Sequence, residues 1–332
     1  MLIFEDNSFT VGTQDGGILT SSKGVFVWKL ITEQDVYLDQ VKIELPDGTM
    51  DASFLDIISF GDRYSFMAAT TLSDLSLIFE VEHSIHGASI TKIANFSYAP
   101  NGKILRKTPC HTAIAYPIDI CSFEIMTSPI NRDLSERYRA WFEFSFEDWL
   151  LIGTDKVLAV SREGTLGLQT YRGDRAGCME LQFDLDLEPG EAVTAMVMDS
   201  SNRFVAISSI SASNLYRIFV YNVDGSMLSH AAEYCTSGSM FSDVKGVVRE
   251  LDFTLYDGMD PVLLAFESGD SQGIRVFKLK NGSKLEEVNY LSEYFFGRFV
   301  ASVVHLNCLW TIDSFGTLKM THQDNVLPNP YL

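Results

Sequence analysis

The sequence predicts an all-β chain folded as a single β-propeller, with seven four-stranded blades. Three observations carry that expectation. A short strand pattern, most often led by glycine, recurs along the whole chain. Alternating runs bounded by Asn-Gly, Asp-Gly and Ser turns fill the space between its copies. Aromatic side chains are abundant, with 23 Phe and 13 Tyr in 332 residues, and these suit pleated, half-buried strands better than helices.

The recurring pattern is a glycine followed, four residues on, by a large apolar residue. It occurs as Gly24-Val25-Phe26-Val27-Trp28, Gly164-Thr165-Leu166-Gly167-Leu168, Gly273-Ile274-Arg275-Val276-Phe277 and Gly316-Thr317-Leu318-Lys319-Met320. Two relatives lack the glycine, Leu75-Ser76-Leu77-Ile78-Phe79 and Arg217-Ile218-Phe219-Val220-Tyr221. The final residues lie at 28, 79, 168, 221, 277 and 320, with gaps of 51, 89, 53, 56 and 43. The gap of 89 is close to two periods and predicts a hidden copy near 123, where 118–126 (IDICSFEIM) has strand character. Seven copies at this spacing match propeller repeats of roughly 40–50 residues, with four strands per blade.

Each copy should supply the third strand of a blade, near 25–30, 75–81, 118–126, 165–171, 216–223, 274–280 and 317–322. The fifth copy shows the full frame: strands over 192–198, 204–209, 216–223 and 227–234, with Ser200-Ser201-Asn202 and Asp224-Gly225 as turns. The sixth repeats it, with Asn281-Gly282 closing a hairpin. The nearest approach to a helical pattern is 133–141, short enough for a loop helix. The last copy has three clear strands, and the segment 2–5 is spare at the N-terminus. We therefore expect 2–5 to complete the C-terminal blade and close the ring, which protects strand edges. The propeller then spans 1–324, and 325–332 (NVLPNPYL) is a C-terminal tail. Two stacked all-β domains are the competing architecture.

Composition narrows the class. Hydrophobic residues are 46% and charged residues 21%, enough for a core and unlike a disordered chain. No run of 18 apolar residues occurs, and the N-terminus turns acidic at once, so neither a membrane span nor a secretory signal is expected. The five cysteines are scattered without a CxxC pair, which fits a reducing compartment, cytoplasm or nucleus. A net charge of −19 repels phosphate backbones and anionic membranes. Direct nucleic-acid and membrane partners are not expected, whereas protein partners with basic surfaces or peptides are permitted.

The segments Phe26-Val27-Trp28-Lys29-Leu30, Phe219-Val220-Tyr221-Asn222-Val223 and Arg275-Val276-Phe277-Lys278-Leu279 resemble the third strand of WD40-type propellers, which ends in Trp-Asp. The resemblance is degenerate: no Trp-Asp pair and no Gly-His dipeptide occurs, and only Trp28 keeps the tryptophan. It implies a seven-bladed propeller used for protein interaction. It also implies that turns between second and third strands share one face that meets partners. Four such turns carry a carboxylate, Asp74, Glu163, Asp270 and Asp313, with Lys23 in the first copy. An acidic rim could receive Lys or Arg from a partner, although Asp is favoured in turns regardless.

The aromatic run 141–149 supplies Trp141 and Trp149 as candidate partner contacts, and 294–299 supplies Phe295. Its strict alternation also suits a strand with one face in the core. Gly269-Asp270-Ser271-Gln272-Gly273 matches G-x-S-x-G, where a strand–turn–helix elbow exposes a serine nucleophile. Here it lies between two predicted strands, so a hairpin turn is the better reading and a serine hydrolase at Ser271 the minor alternative. His83 and His86 are three apart without Cys or Asp support for a metal. No phosphate loop, EF-hand or dinucleotide fingerprint occurs, so no cofactor, metal or small-molecule substrate is expected. The expected function is a non-catalytic interaction scaffold, a subunit of a larger intracellular complex. The second reading is a reader of basic peptide tails.

Overall fold

The computed structural model describes residues 2–3, 9–12, 17–22, 25–31, 37–43, 53–60, 64–70, 76–84, 87–96, 104–108, 112–127, 136–199, 201–213, 215–236, 246–257, 260–269, 273–291, 295, 299–305, 308–313 and 317–327. Among them the chain forms seven antiparallel sheets, each of strands consecutive in sequence. The first holds β1 (Leu2–Ile3), β2 (Phe9–Gly12), β3 (Gly17–Ser22), β4 (Val25–Ile31) and β5 (Tyr37–Ile43). The second holds β6 (Ser53–Phe60), β7 (Tyr64–Thr70), β8 (Ser76–Ser84) and β9 (Gly87–Asn95). The third holds β10 (Arg106–Lys107), β11 (Ala113–Pro117), β12 (Ser122–Thr127) and β13 (Glu136–Trp141). The fourth holds β14 (Phe146–Ile152), β15 (Lys156–Ser161), β16 (Thr165–Thr170) and β17 (Met179–Asp184). The fifth holds β18 (Ala192–Met198), β19 (Phe204–Ile210), β20 (Tyr216–Asp224) and β21 (Met227–Cys235). The sixth holds β22 (Gly246–Asp257), β23 (Asp260–Gly269), β24 (Ile274–Lys280) and β25 (Lys284–Leu291). The seventh holds β26 (Phe299–His305), β27 (Cys308–Asp313) and β28 (Leu318–His322), followed by a single-turn helix, α1 (Gln323–Val326).

The repeat residues Phe79, Leu168, Tyr221, Phe277 and Met320 lie on the third strands β8, β16, β20, β24 and β28, and Trp28 lies on the corresponding β4. Two irregularities also recur at fixed places. Register shifts interrupt the pairing of first and second strands after Phe54, Phe146, Val193, Val248 and Phe299. Third and fourth strands shift after Lys29, Ile78, Leu168, Val220 and Val276. Bulges of this kind sharpen local twist and re-aim side chains, so the repeat is written in backbone geometry as well as in residue types.

The chain forms two compact units, Met1–Trp141 and Phe142–Leu332. In the first, the second and third sheets share a core of Phe66, Ile78, Ile104, Ile114, Tyr116 and Met126. In the second, the fifth sheet feeds two cores at once. Val205, Ile207, Phe219 and Tyr221 face the fourth sheet, while Phe204, Ala206, Ile218 and Val220 face the sixth. Alternate residues of a strand point to opposite faces, so a sheet buried on both faces needs apolar residues in sequence. That is why β19 (FVAISSI) lacks a polar/apolar alternation.

Two repeat glycines have a physical cause. A Cβ on Gly273 would lie 2.7 Å from Cε2 of Tyr290 and 2.8 Å from the carbonyl oxygen of Leu291. Gly164 has φ +93, and a Cβ there would lie 2.7 Å from Cδ1 of Leu187. In both places the chain entering the third strand is crowded by the chain that follows it. Asn281 and Gly282 both have positive φ (51 and 63) and turn β24 into β25, the left-handed pair that Asn-Gly favours.

Two expectations change. Ile118–Cys121 is the turn before β12 rather than part of a strand, because Asp119 accepts the N–H of Cys121 (2.9 Å) and the Ser122 hydroxyl (2.6 Å). The segment 136–141 is strand β13, not helix, and its exposure alternates with period two. Leu2–Ile3 pairs with Thr10 and Phe9 in the first sheet, and residues 4 and 5 of the segment expected to close the last blade lie outside the described residues. The start of the tail packs back: Val326 is buried with Leu264, Phe266, Phe295 and Leu309, and its carbonyl accepts from Asn289 Nδ2 at 2.8 Å. Gly273→Ala should destabilise the protein by about 1–3 kcal/mol, the usual cost of overpacking, measured by urea unfolding against wild type.

Candidate interaction surfaces

The largest buried polar group belongs to the fold rather than to a reaction. Arg275, at the start of β24, is fully buried. Its Nε donates to Glu267 at 2.5 Å, and its Nη1 donates to Glu287 at 2.6 Å. The Tyr216 hydroxyl donates to the same Glu267 oxygen at 2.6 Å, and the Tyr234 hydroxyl donates to Glu287 at 2.6 Å. Tyr216 and Tyr234 come from the fifth sheet and the two glutamates from the sixth, so the cluster joins neighbouring sheets. The guanidinium also lies 4.7 Å from the ring centre of Tyr290. Burial, and then the charge of Glu267, hold the Tyr216 phenol well above its ordinary range. Arg217 occupies the corresponding place on β20, where it meets Glu191 (3.0 Å) and Glu233 (2.8 Å) nearer the surface.

A second link joins the fourth and fifth sheets. Lys156 Nζ lies 2.7 Å from the Ser226 hydroxyl and 3.1 Å from Glu180. Hydrogen bonds from Ser226 and Thr170, and the Lys156 ammonium, hold the Glu180 carboxyl down to about 2.

The sequence-predicted contacts separate on exposure. Trp141 is 52% exposed at the end of β13. Trp149 is fully buried on β14, and Phe295 packs with Val326 and Leu309, so both are core residues. Their aromatic area is better buried against the next sheet than left in water. Glu163 is exposed in the turn before β16. Asp313 is 2% exposed and accepts the Thr317 N–H at 3.0 Å, which shapes its turn. Asp74, Asp270 and Ser271 lie outside the described residues. β23 ends at Gly269 and β24 starts at Ile274, so the G-x-S-x-G segment joins two strands of a hairpin, unlike the strand-to-helix elbow a serine nucleophile requires. The aromatic run is not one strand: residues 142–145 connect β13 to β14, and the Phe142 and Phe144 rings crowd Gly167.

Sequence reasoning missed two exposed groups. Near Glu163, the carboxylates Asp184, Asp186 and Glu188 are all exposed, with Asp184 accepting from the Thr165 hydroxyl at 2.8 Å. On β13, Arg137 and Arg139 are exposed beside Trp141 in alternation. That alternation was visible in the run Glu136–Trp141 and points to a strand face.

No protein-family model matches the chain, and no curated protein matches it in sequence. Solved structures do match. The β-propeller domain of Cps50 (Swd1) from Myceliophteria thermophila is similar with a TM-score of 0.58 and 11% identity, covering 94% of each chain. Sqt1 from Chaetomium thermophilum is similar with a TM-score of 0.62 and 9% identity, over 94% of this chain and 82% of that one. The chain is a β-propeller. A candidate 6-phosphogluconolactonase from Bacteroides uniformis is similar too, with a TM-score of 0.55 and 11% identity over 94% and 87%. The expected propeller fold is thus shared with these structures, each matched over 94% of this chain.

Arg275→Met leaves two buried glutamates without their cation and should cost about 3–5 kcal/mol, seen as a lowered denaturation midpoint. Glu180 is held below its unfolded value of 4.5. Its contribution to stability is therefore present above that pH and lost as pH falls towards about 2. The stability gap between wild type and Glu180→Gln should narrow over that window in urea unfolding at stepped pH.

Proposed function

We propose that this propeller is a non-catalytic interaction platform, a subunit of a larger multiprotein assembly in the cytoplasm or nucleus. One observation carries the reading. The fully buried Arg275 and its glutamate and tyrosine partners are committed to a sheet-to-sheet link, whereas large apolar side chains stand at the surface. Trp141, Ile120, Met227 and Met320 are each at least half exposed. Aromatic and apolar side chains at the surface are the usual material of interface cores. Fold alone does not separate platforms from enzymes, and the candidate lactonase shares the fold. The exposed carboxylates around Glu163 favour a second reading, in which a basic peptide docks on that acidic surface.

Affinity purification of the tagged native protein, followed by mass spectrometry at low and high salt, tests both readings. Stoichiometric subunits that persist at high salt are expected. Basic partners that leave as salt rises would move the assignment to the peptide-binding reading, because exposed charge contacts are screened. A protein that stays alone at both salt concentrations would overturn the platform.

A further inference from the structure

We propose that His305, Cys308 and His322 bind a zinc ion at one end of the seventh sheet, with Asp324 orienting His322. The register puts the three positions in a row. His305, the last residue of β26, pairs with Cys308, the first of β27. Cys308 pairs in turn with His322, the last residue of β28. Directly paired residues of an antiparallel ladder share a face, with Cβ atoms roughly 4.5–5.5 Å apart. Two histidine positions therefore flank a cysteine on one face, where β26 ends, β27 begins and β28 ends. Histidine and cysteine are scarce in this chain, six and five among 332 residues, so composition alone does not supply such a row.

Donor chemistry selects the ion. Thiolate and imidazole are zinc ligands, at about 2.3 Å and about 2.0–2.1 Å, whereas calcium and magnesium take oxygen. The face is open to solvent: Cys308 and Trp310 are half-buried while Leu309, on the opposite face, is fully buried. The Cys308 thiol is in no disulfide. The His322 side chain is 53% exposed, and its Nδ1 lies 3.2 Å from Asp324 Oδ2. The Asp324 N–H approaches the same nitrogen at 3.4 Å. Both contacts fall on Nδ1, which leaves Nε2 for an ion. A carboxylate on one ring nitrogen commonly fixes the ring of a metal-binding histidine in this way. Among the described side chains no three donors stand ready-made around one point. The third donor comes from position 305, placed by the register, and the exposed His322 reaches the ion by turning about its own side-chain bonds. A net charge of −19 draws cations to the surface. An ion held here ties the ends of all three strands together.

The test is titration of the reduced, chelator-treated full chain with Co²⁺, a spectroscopic stand-in for Zn²⁺. One Co²⁺ per chain should bind with a sulfur-to-cobalt charge-transfer absorption, and Zn²⁺ should displace it. Zn²⁺ should also raise the melting temperature, because it binds the folded chain. Cys308→Ser should abolish the charge-transfer band. His305→Gln and His322→Gln should each weaken Co²⁺ binding at least about tenfold, and Asp324→Asn, a positioning change, by about tenfold. Cys178→Ser, at an exposed cysteine before β17, should bind as wild type does. Without the ion, the ligand variants should melt where ion-free wild type melts, which separates a lost ligand from a misfolded chain. No charge-transfer band, a band that survives in Cys308→Ser, or unchanged affinity in any of the other three variants of the site would overturn the proposal. The site is independent of the platform reading: subunits that co-purify with Cys308→Ser would leave that reading as it stands.

Discussion

The inner strands of the fifth and sixth sheets are buried on both faces, and most other features follow from that. The fifth sheet donates alternate side chains of β19 and β20 to two separate cores. A sheet of this kind cannot cover its apolar area alone and gains stability only from its neighbours on either side. The requirement removes the usual polar face of an antiparallel sheet. It also pushes polar and charged residues to turns, outer strands and the few positions where they tie one sheet to the next.

Those ties recur at one place in the repeat. Asp56 follows the bulge in β6, and one of its oxygens accepts the N–H groups of Ile104 and Leu105, both at 2.8 Å, at the edge of the third sheet. Asp148 follows the bulge in β14, is 2% exposed, and accepts the Met196 N–H at 2.8 Å from the fifth sheet. Glu250 follows the bulge in β22 and accepts from Ser302 of the seventh sheet at 3.3 Å. The bulge turns the acidic side chain out of its own ladder towards the next sheet. There Asp56 and Asp148 satisfy backbone groups whose burial would otherwise cost free energy, and Glu250 meets a side-chain hydroxyl. The Arg275 cluster does the same further out, with side chains alone.

The same division separates scaffold from surface. Groups that suggest chemistry in isolation, such as a buried arginine, two glutamates and a tyrosine with a raised phenol value, are consumed in holding sheets together. Surface character comes from elements that need not pack on both sides, namely β13, the turn before β12 and the loop after β17. These carry exposed Trp141, Ile120, Arg139 and the carboxylates near Glu163.

By itself the sequence determined the strand-rich class, the repeat, and the third strands around Phe79, Leu168, Tyr221 and Phe277, because turn chemistry and apolar runs are local properties of the chain. Even the hidden copy near 123 was legible from spacing, though its first residues turned out to form a turn held by Asp119. The glycines were visible as a pattern, but their cause was not: Gly273 is forced by Tyr290 and Leu291, which approach it from the next strand. Only the tertiary structure decided which side chains face water. Trp141 and Trp149 stand eight residues apart in one aromatic run, yet one is half exposed and the other fully buried. Asp313 and Glu163 occupy equivalent turns, yet Asp313 turns inward to its own backbone. Exposure depends on what the neighbouring sheet brings into contact, and those neighbours lie some fifty residues away in the sequence.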